Sequence, residues 1–125
     1  MAPVREWVDK AEADYKGATA LNRRRVEPLP DLVCFHCQQC IEKYLKRVLV
    51  QQGRPAPRIH DLLQLLNLCA VGDPPLLRLR PDVLALNPFS VQVRYPGAAA
   101  TPHQARDALL VTRRLRRILR RRLGL

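Results

Sequence analysis

Apolar residues recur along this chain at the three- and four-residue spacing of amphipathic helices, and prolines cut the pattern into segments. Val4, Trp7, Val8, Ala11, Tyr15 and Ala18 predict a first helix opening near Pro3, a residue tolerated in a first turn. Glu27-Pro28-Leu29-Pro30 ends it, and Asp31 stands where an N-cap would open a longer helix over residues 32–52, closed by Gly53 and Pro55. A third helix is expected over about residues 60–69, with Leu62, Leu63, Leu65, Leu66 and Cys69 inward, before Gly72-Asp73-Pro74-Pro75 breaks it. Residues 76–87 contain Pro81 and should hold a short helix after it; residues 87–102 read as irregular. A final amphipathic helix is expected over about residues 103–123. No segment alternates with the period of a strand, and there is no repeat or low-complexity linker. The expected fold is all-α, an up-and-down bundle of four main helices plus a short extra helix, in one domain covering residues 1–125.

The second helix is the most informative. On a wheel of about 100° per residue, Val33, Cys34, Cys37, Cys40, Ile41, Tyr44, Leu45 and Val48 share one stripe. His36, Gln39, Glu42, Lys43 and Lys46 fall opposite, with Phe35. Cys34-x-x-Cys37-x-x-Cys40 resembles a metal motif, but Cys34 and Cys40 lie about 9 Å apart along an intact helix. Two thiolates on one zinc need sulfurs within about 4 Å, given bonds of ~2.3 Å. Cysteine packs as a small hydrophobe, so the expected role is core packing, with no metal and no disulfide framework.

Composition bounds the rest. Of the 125 residues 47% are hydrophobic, enough for a core without staples. No apolar run approaches the ~20 residues of a membrane span. Arg5, Glu6, Asp9, Lys10, Glu12 and Asp14 leave no apolar leader at the N-terminal end. The expected location is cytoplasmic, with no membrane partner. Net charge is +11, and eight arginines against Asp107 in residues 104–125 supply most of it. Arg113, Arg114, Arg116, Arg117, Arg120 and Arg121 cover one face of the last predicted helix, opposite a stripe of Ala108, Val111, Leu115, Ile118 and Leu119. Seven arginines in ten residues exceed what solubility needs, which points to an anionic partner, although codon bias gives the same composition.

Four blocks carry a family resemblance. Trp7-x-x-Lys10-Ala11-Glu12-x-Asp14 and Phe35-His36-x-Gln38-Gln39-x-x-Glu42-Lys43-x-Leu45-Lys46 resemble the first two helices of HEPN domains. His60-Asp61-Leu62 with Leu65-Leu66, then Arg94-Tyr95-Pro96, continue the match in order. The resemblance implies a bundle that dimerises, partners minimal nucleotidyltransferases in toxin–antitoxin pairs, and binds nucleotide or RNA without a cofactor. This chain has no Gly-rich phosphate loop and no paired-aspartate motif, so it does not read as the nucleotidyltransferase. The alternative that the resemblance implies is a metal-independent endoribonuclease. Those members carry Arg-x4-6-His, a spacing that Arg54 and His60 fit and Arg94 and His103 do not. A histidine titrating near neutrality could move the 2′-hydroxyl proton while an arginine steadies the phosphate. In ribonuclease members the motif lies near the last long helix, whereas here it falls between the second and third.

Two candidate binding regions result. His36, Gln39, Lys43 and Lys46 form either a solvated face or the wall of a dimer or nucleotide cleft, to which Arg94 and Tyr95 would add a phosphate donor and a stacking ring. Alternatively, Arg94-Tyr95-Pro96 simply anchors its loop. Arg113, Arg117 and Arg120 represent the terminal strip that would meet phosphates.

Overall fold

Proline placement and apolar spacing yield five α-helices in the computed structural model, which describes residues 4–90, 96–97 and 99–125. They are α1 (Val4–Asn22), α2 (Pro30–Gln51), α3 (Leu62–Gly72), α4 (Arg80–Leu86) and α5 (Pro102–Arg122). Short 3₁₀ helices at Pro74–Leu79 and Asn87–Ser90 flank α4. Among the described residues there is no strand, and no helix is long and apolar enough to cross a membrane.

Helix ends show what local pattern reading misses. Asp31 does not cap α2: the helix opens two residues earlier than expected, with Pro30 at its start, and Leu29 is the cap. The Asp31 carboxylate instead accepts a hydrogen bond from the Ala100 amide at 2.6 Å, tying the approach to α5 onto α2. Asp61 caps α3 by accepting from the Gln64 amide at 2.9 Å, so His60 lies before the helix and not in its first turn. α4 begins at Arg80, ahead of Pro81, because a proline near the first position lacks only a donor that would be unpaired anyway. Thr101 and Gln104 form a reciprocal capping box on α5. At the end of α2, Gly53 takes φ 78°, the left-handed geometry that lets the Gly53 and Arg54 amides reach back to Val50 and Leu49.

Long-range bonds fix the path of the chain. Asp14 reaches His36 and Lys43 while Trp7 meets Lys46, so α1 and α2 are antiparallel. The segment after α2 leads back along it: Gln38 meets the His60 carbonyl and Cys69 the Leu45 carbonyl. α3 therefore runs in the same sense as α2 instead of reversing. α5 also runs with α2, joined by Asp31 to Ala100 and by Tyr44 to Arg120.

α2 is the axis of the molecule. Its predicted stripe is buried throughout, and Cys34, Cys37, Cys40, Ile41, Tyr44 and Leu45 have no exposed surface. Leu62, Leu65, Leu66 and Cys69 of α3 join them, together with Leu115 and Leu119 of α5. The expected inward positions Leu63, Val111 and Ile118 are only half-buried, whereas Ala105, Leu109 and Thr112 are fully covered. Thr112 is satisfied by donating to the Ala108 carbonyl at 2.8 Å.

Candidate functional site

α1 packs over the polar side of α2, and this contact decides where the four α2 candidates, His36, Gln39, Lys43 and Lys46, lie. The Asp14 carboxylate lies 2.8 Å from Nδ1 of His36 and also holds the Lys43 ammonium. Lys46 is buried, 3.3 Å from the equally buried Glu42, with its ammonium 5.8 Å from the Trp7 ring centroid. Gln39 donates to the side-chain oxygen of Gln38 at 2.7 Å, and Gln38 in turn donates to the His60 carbonyl at 3.1 Å. His36, Gln39, Lys43 and Lys46 thus spend polar groups on an internal seam and present little of them outward.

A second cluster joins α1, α2 and α5. Glu12 accepts two bonds from Arg116, at 2.7 and 2.5 Å, and one from the Tyr44 hydroxyl at 2.7 Å. Arg120 donates to the Tyr44 oxygen at 3.0 Å and lies 3.5 Å from Glu12. The Arg116 guanidinium stacks 4.3 Å from the Tyr15 ring centroid. The bidentate bond from Arg116 holds the Glu12 carboxyl below its ordinary pKa, against a partial opposing effect of burial. Burial pushes the Tyr44 phenol up to about 12.

Beside this cluster lies an open groove of about 300 Å³ lined by Tyr15, Arg113, Arg116, Arg117, Arg120, Arg121 and Leu125, with no Asp or Glu side chain in its wall. Arg116 and Arg120 form its floor through their grip on Glu12. Arg113, Arg117 and Arg121 are exposed and make no hydrogen bond or ion pair within the described residues. Arg114 and Arg122 turn elsewhere, each 3.0 Å from a carboxylate, Asp82 and Asp73 respectively. The predicted arginine face is therefore divided. Arg120 is a half-buried structural donor, not an outward residue like Arg113 and Arg117.

Residues 4–122 match the family model described as HEPN domain. The chain belongs to the HEPN domain family. Among solved structures, its fold is similar to that of TT1696 from Thermus thermophilus, with a TM-score of 0.76 and 21% identity. The match covers 97% of this chain and 98% of that one, a likeness of fold alone. No curated protein matches the chain.

Within this HEPN domain, Arg54 and His60 have separate attachments. Arg54 donates to the Leu68 carbonyl at 2.6 Å, pinning the α2–α3 loop to α3. His60 leaves 72% of its side chain exposed and places Nδ1 3.1 Å from Oε1 of Glu42. Arg94 and Tyr95 lie outside the described residues. The four cysteines are free and buried. Burial pushes Cys34 and Cys69 up to about 12 and Cys37 to about 11, the last tempered by the Thr112 hydroxyl. Burial raises Cys40 well above the ordinary thiol range too. Among the described residues, no three His, Cys, Asp or Glu side chains converge as metal ligands would.

Glu12 is the site residue that sequence reading did not single out. Its one signal was an acid inside the first-helix motif, on the helix that must pack against an arginine-rich partner.

Proposed function

We propose that this HEPN domain is a binding module that takes the phosphates of a nucleotide or RNA in the α1–α5 groove. It would act as a homodimer with a minimal nucleotidyltransferase in a toxin–antitoxin-like pair. The carrying observation is the imbalance of the groove: five arginines line it, and the one acidic side chain beside it, Glu12, pairs with only two of them. Arginine forks suit phosphate oxygens, and the α5 backbone fixes where they project. Four free, buried thiols fit the reducing cytoplasm. Dimerisation and the partner rest on family membership.

The test is the triple variant Arg113→Gln, Arg117→Gln, Arg121→Gln, which leaves the Glu12 cluster whole. Affinity for single-stranded RNA at low salt should fall at least about tenfold if two or more charge-assisted contacts are lost. The log–log salt slope should flatten by about two, at roughly 0.7 per lost phosphate contact. Unchanged affinity and slope would remove the groove from the reading. Light scattering at tens of micromolar should give a dimer, and co-expression with a small nucleotidyltransferase should yield a complex that survives purification.

One observation favours a second reading, a metal-independent ribonuclease. If Nδ1 of His60 donates to Glu42, its exposed Nε2 is free to accept a proton, as a general base must. Arg54, however, is committed to the Leu68 carbonyl. RNA cleavage by the purified protein in excess chelator, abolished by His60→Ala, would establish this reading over a purely binding role.

A further inference from the structure

The arginine groove has a counterpart at the other end of the same seam. A second groove, of about 350 Å³, opens where the α1–α2 turn meets the start of α5. Arg23, Arg24, Arg25 and Arg106 contribute to its wall, with Leu21 and Val33 at its base, and no carboxylate lines it. Arg24 is partly engaged, donating to the Val26 carbonyl at 2.9 Å and lying 3.7 Å from Glu27. Arg23, Arg25 and Arg106 are exposed, and their side chains make no hydrogen bond or ion pair within the described residues.

The two grooves are collinear. α1 runs antiparallel to α5, because Tyr15 meets Arg116 while Leu21 shares the second groove with Ala105. On the α5 wheel Arg106, Arg113, Arg117 and Arg121 fall within about 80°, and from Arg106 to Arg121 the axial distance is about 22 Å. At the ~3.4 Å axial step of a stacked strand, that distance covers roughly six or seven nucleotides. Exposed Leu110, at 50%, is the large apolar side chain on α5 between the two basic stretches. A protein–protein interface would need a broader apolar centre than that. Each groove lies at the small end of the ~300–1,000 Å³ range of ligand pockets, room for one nucleotide and not for two paired strands.

Building on the reading of the α1–α5 groove above, we propose that Arg23, Arg24, Arg25 and Arg106 form a second phosphate site. A single RNA strand then bridges both grooves along the α1–α5 seam. The strand is held by its backbone, so this site adds length selectivity and not base sequence. Two weak sites joined by one strand gain from effective concentration, which rewards an RNA long enough to reach both.

Fluorescence anisotropy with the full chain and uridine oligonucleotides of about four and about twelve nucleotides tests this, both lengths lying within or near single-strand site sizes. The wild type should bind the longer strand about a hundredfold more tightly, the gain expected when a second contact becomes intramolecular. The variant Arg23→Gln, Arg24→Gln, Arg25→Gln should lose most of that gain and flatten the long-strand salt slope by up to about two. Its affinity for the short strand should stay within about twofold, since the first groove still binds it. A thermal melt confirming an intact fold accompanies each variant. Long-strand affinity unchanged in the loop variant, while the α5 triple variant still loses binding, would overturn the second site and leave the first reading standing. Equal affinity for both lengths, or tighter binding of a duplex of the same length, would overturn the bridging strand. Displacement of RNA by poly-glutamate of matched charge would reassign the seam to an acidic protein. No binding of either oligonucleotide by the wild type would bring down the groove reading itself.

Discussion

Glu12 joins three helices through a single carboxylate, and its environment makes its behaviour predictable. Glu12→Gln should cost about 2 kcal/mol, because it replaces charge-assisted bonds from Arg116 with weaker ones and leaves two arginines facing each other. The pH dependence has a definite sign. A carboxyl whose folded pKa is lowered stabilises the fold above its unfolded value of about 4.3 and loses that contribution as pH falls through the folded value. Urea unfolding at neutral pH and near pH 3 should therefore show the wild type losing more stability on acidification than the Gln variant. The cysteines behave differently. With thiols pushed up to about 11 or 12, Cys37, Cys34 and Cys69 carry almost no thiolate at neutral pH. A thiol reagent should react with all four cysteines within seconds only after denaturation, and fast labelling of the native protein would contradict their buried placement. Cys37→Ala should fold with a loss of about 1–2 kcal/mol, the cost of a small core cavity. The cysteines were readable from their three-residue spacing on one stripe. Glu12 was not, because its partners lie up to 104 positions away.

At the level of helices, α2 and α5 each mislead a helical wheel in an instructive way. A wheel sorts residues by direction but says nothing of which neighbour lies there. His36, Lys43 and Lys46 project from the side of α2 opposite the apolar stripe, and that side is covered by α1. Asp14 of α1 neutralises the ammonium group of Lys43, and Glu42 of α2 itself that of Lys46. On α5, Arg116 and Arg117 are adjacent in sequence, yet the first sits over Tyr15 and grips Glu12 while the second meets solvent. Arg116→Gln should therefore destabilise by about 1.5–3 kcal/mol, the range for hydrogen bonds to charged groups. Arg117→Gln should stay within about 0.5 kcal/mol of the wild type, as surface changes usually do. Equal chemical denaturation midpoints for the two variants would mean that α5 does not dock as described. The capping box offers a further check: Thr101→Ala should cost about 1 kcal/mol, measured the same way.

For the molecule as a whole, the excess positive charge is concentrated where opposing charge is absent. Of a net +11, much lies along the α1–α5 seam, while Arg114 and Arg122 each meet a carboxylate of their own and Arg116 and Arg120 share Glu12. Self-repulsion along that seam should be screened by salt, so the Tm should rise as ionic strength increases. The triple variant of Arg113, Arg117 and Arg121 should show a smaller rise and a Tm at low salt equal to or above that of the wild type. A Tm that falls with salt in the wild type would mean that attractive pairs dominate. The sequence by itself determined the helical class, the approximate extent of each helix, the buried cysteine stripe and the basic last helix. These follow from local rules: apolar period, proline and glycine punctuation, and charge per turn act within a few residues of one another. Only the tertiary structure decided that α3 runs alongside α2, that Asp31 holds Ala100, and that Arg116 and Arg120 serve the fold while Arg113, Arg117 and Arg121 make no hydrogen bond or ion pair among the described residues. Each of those outcomes depends on which groups meet across the bundle, and a charge acquires its role from the partner that folding places within hydrogen-bond reach.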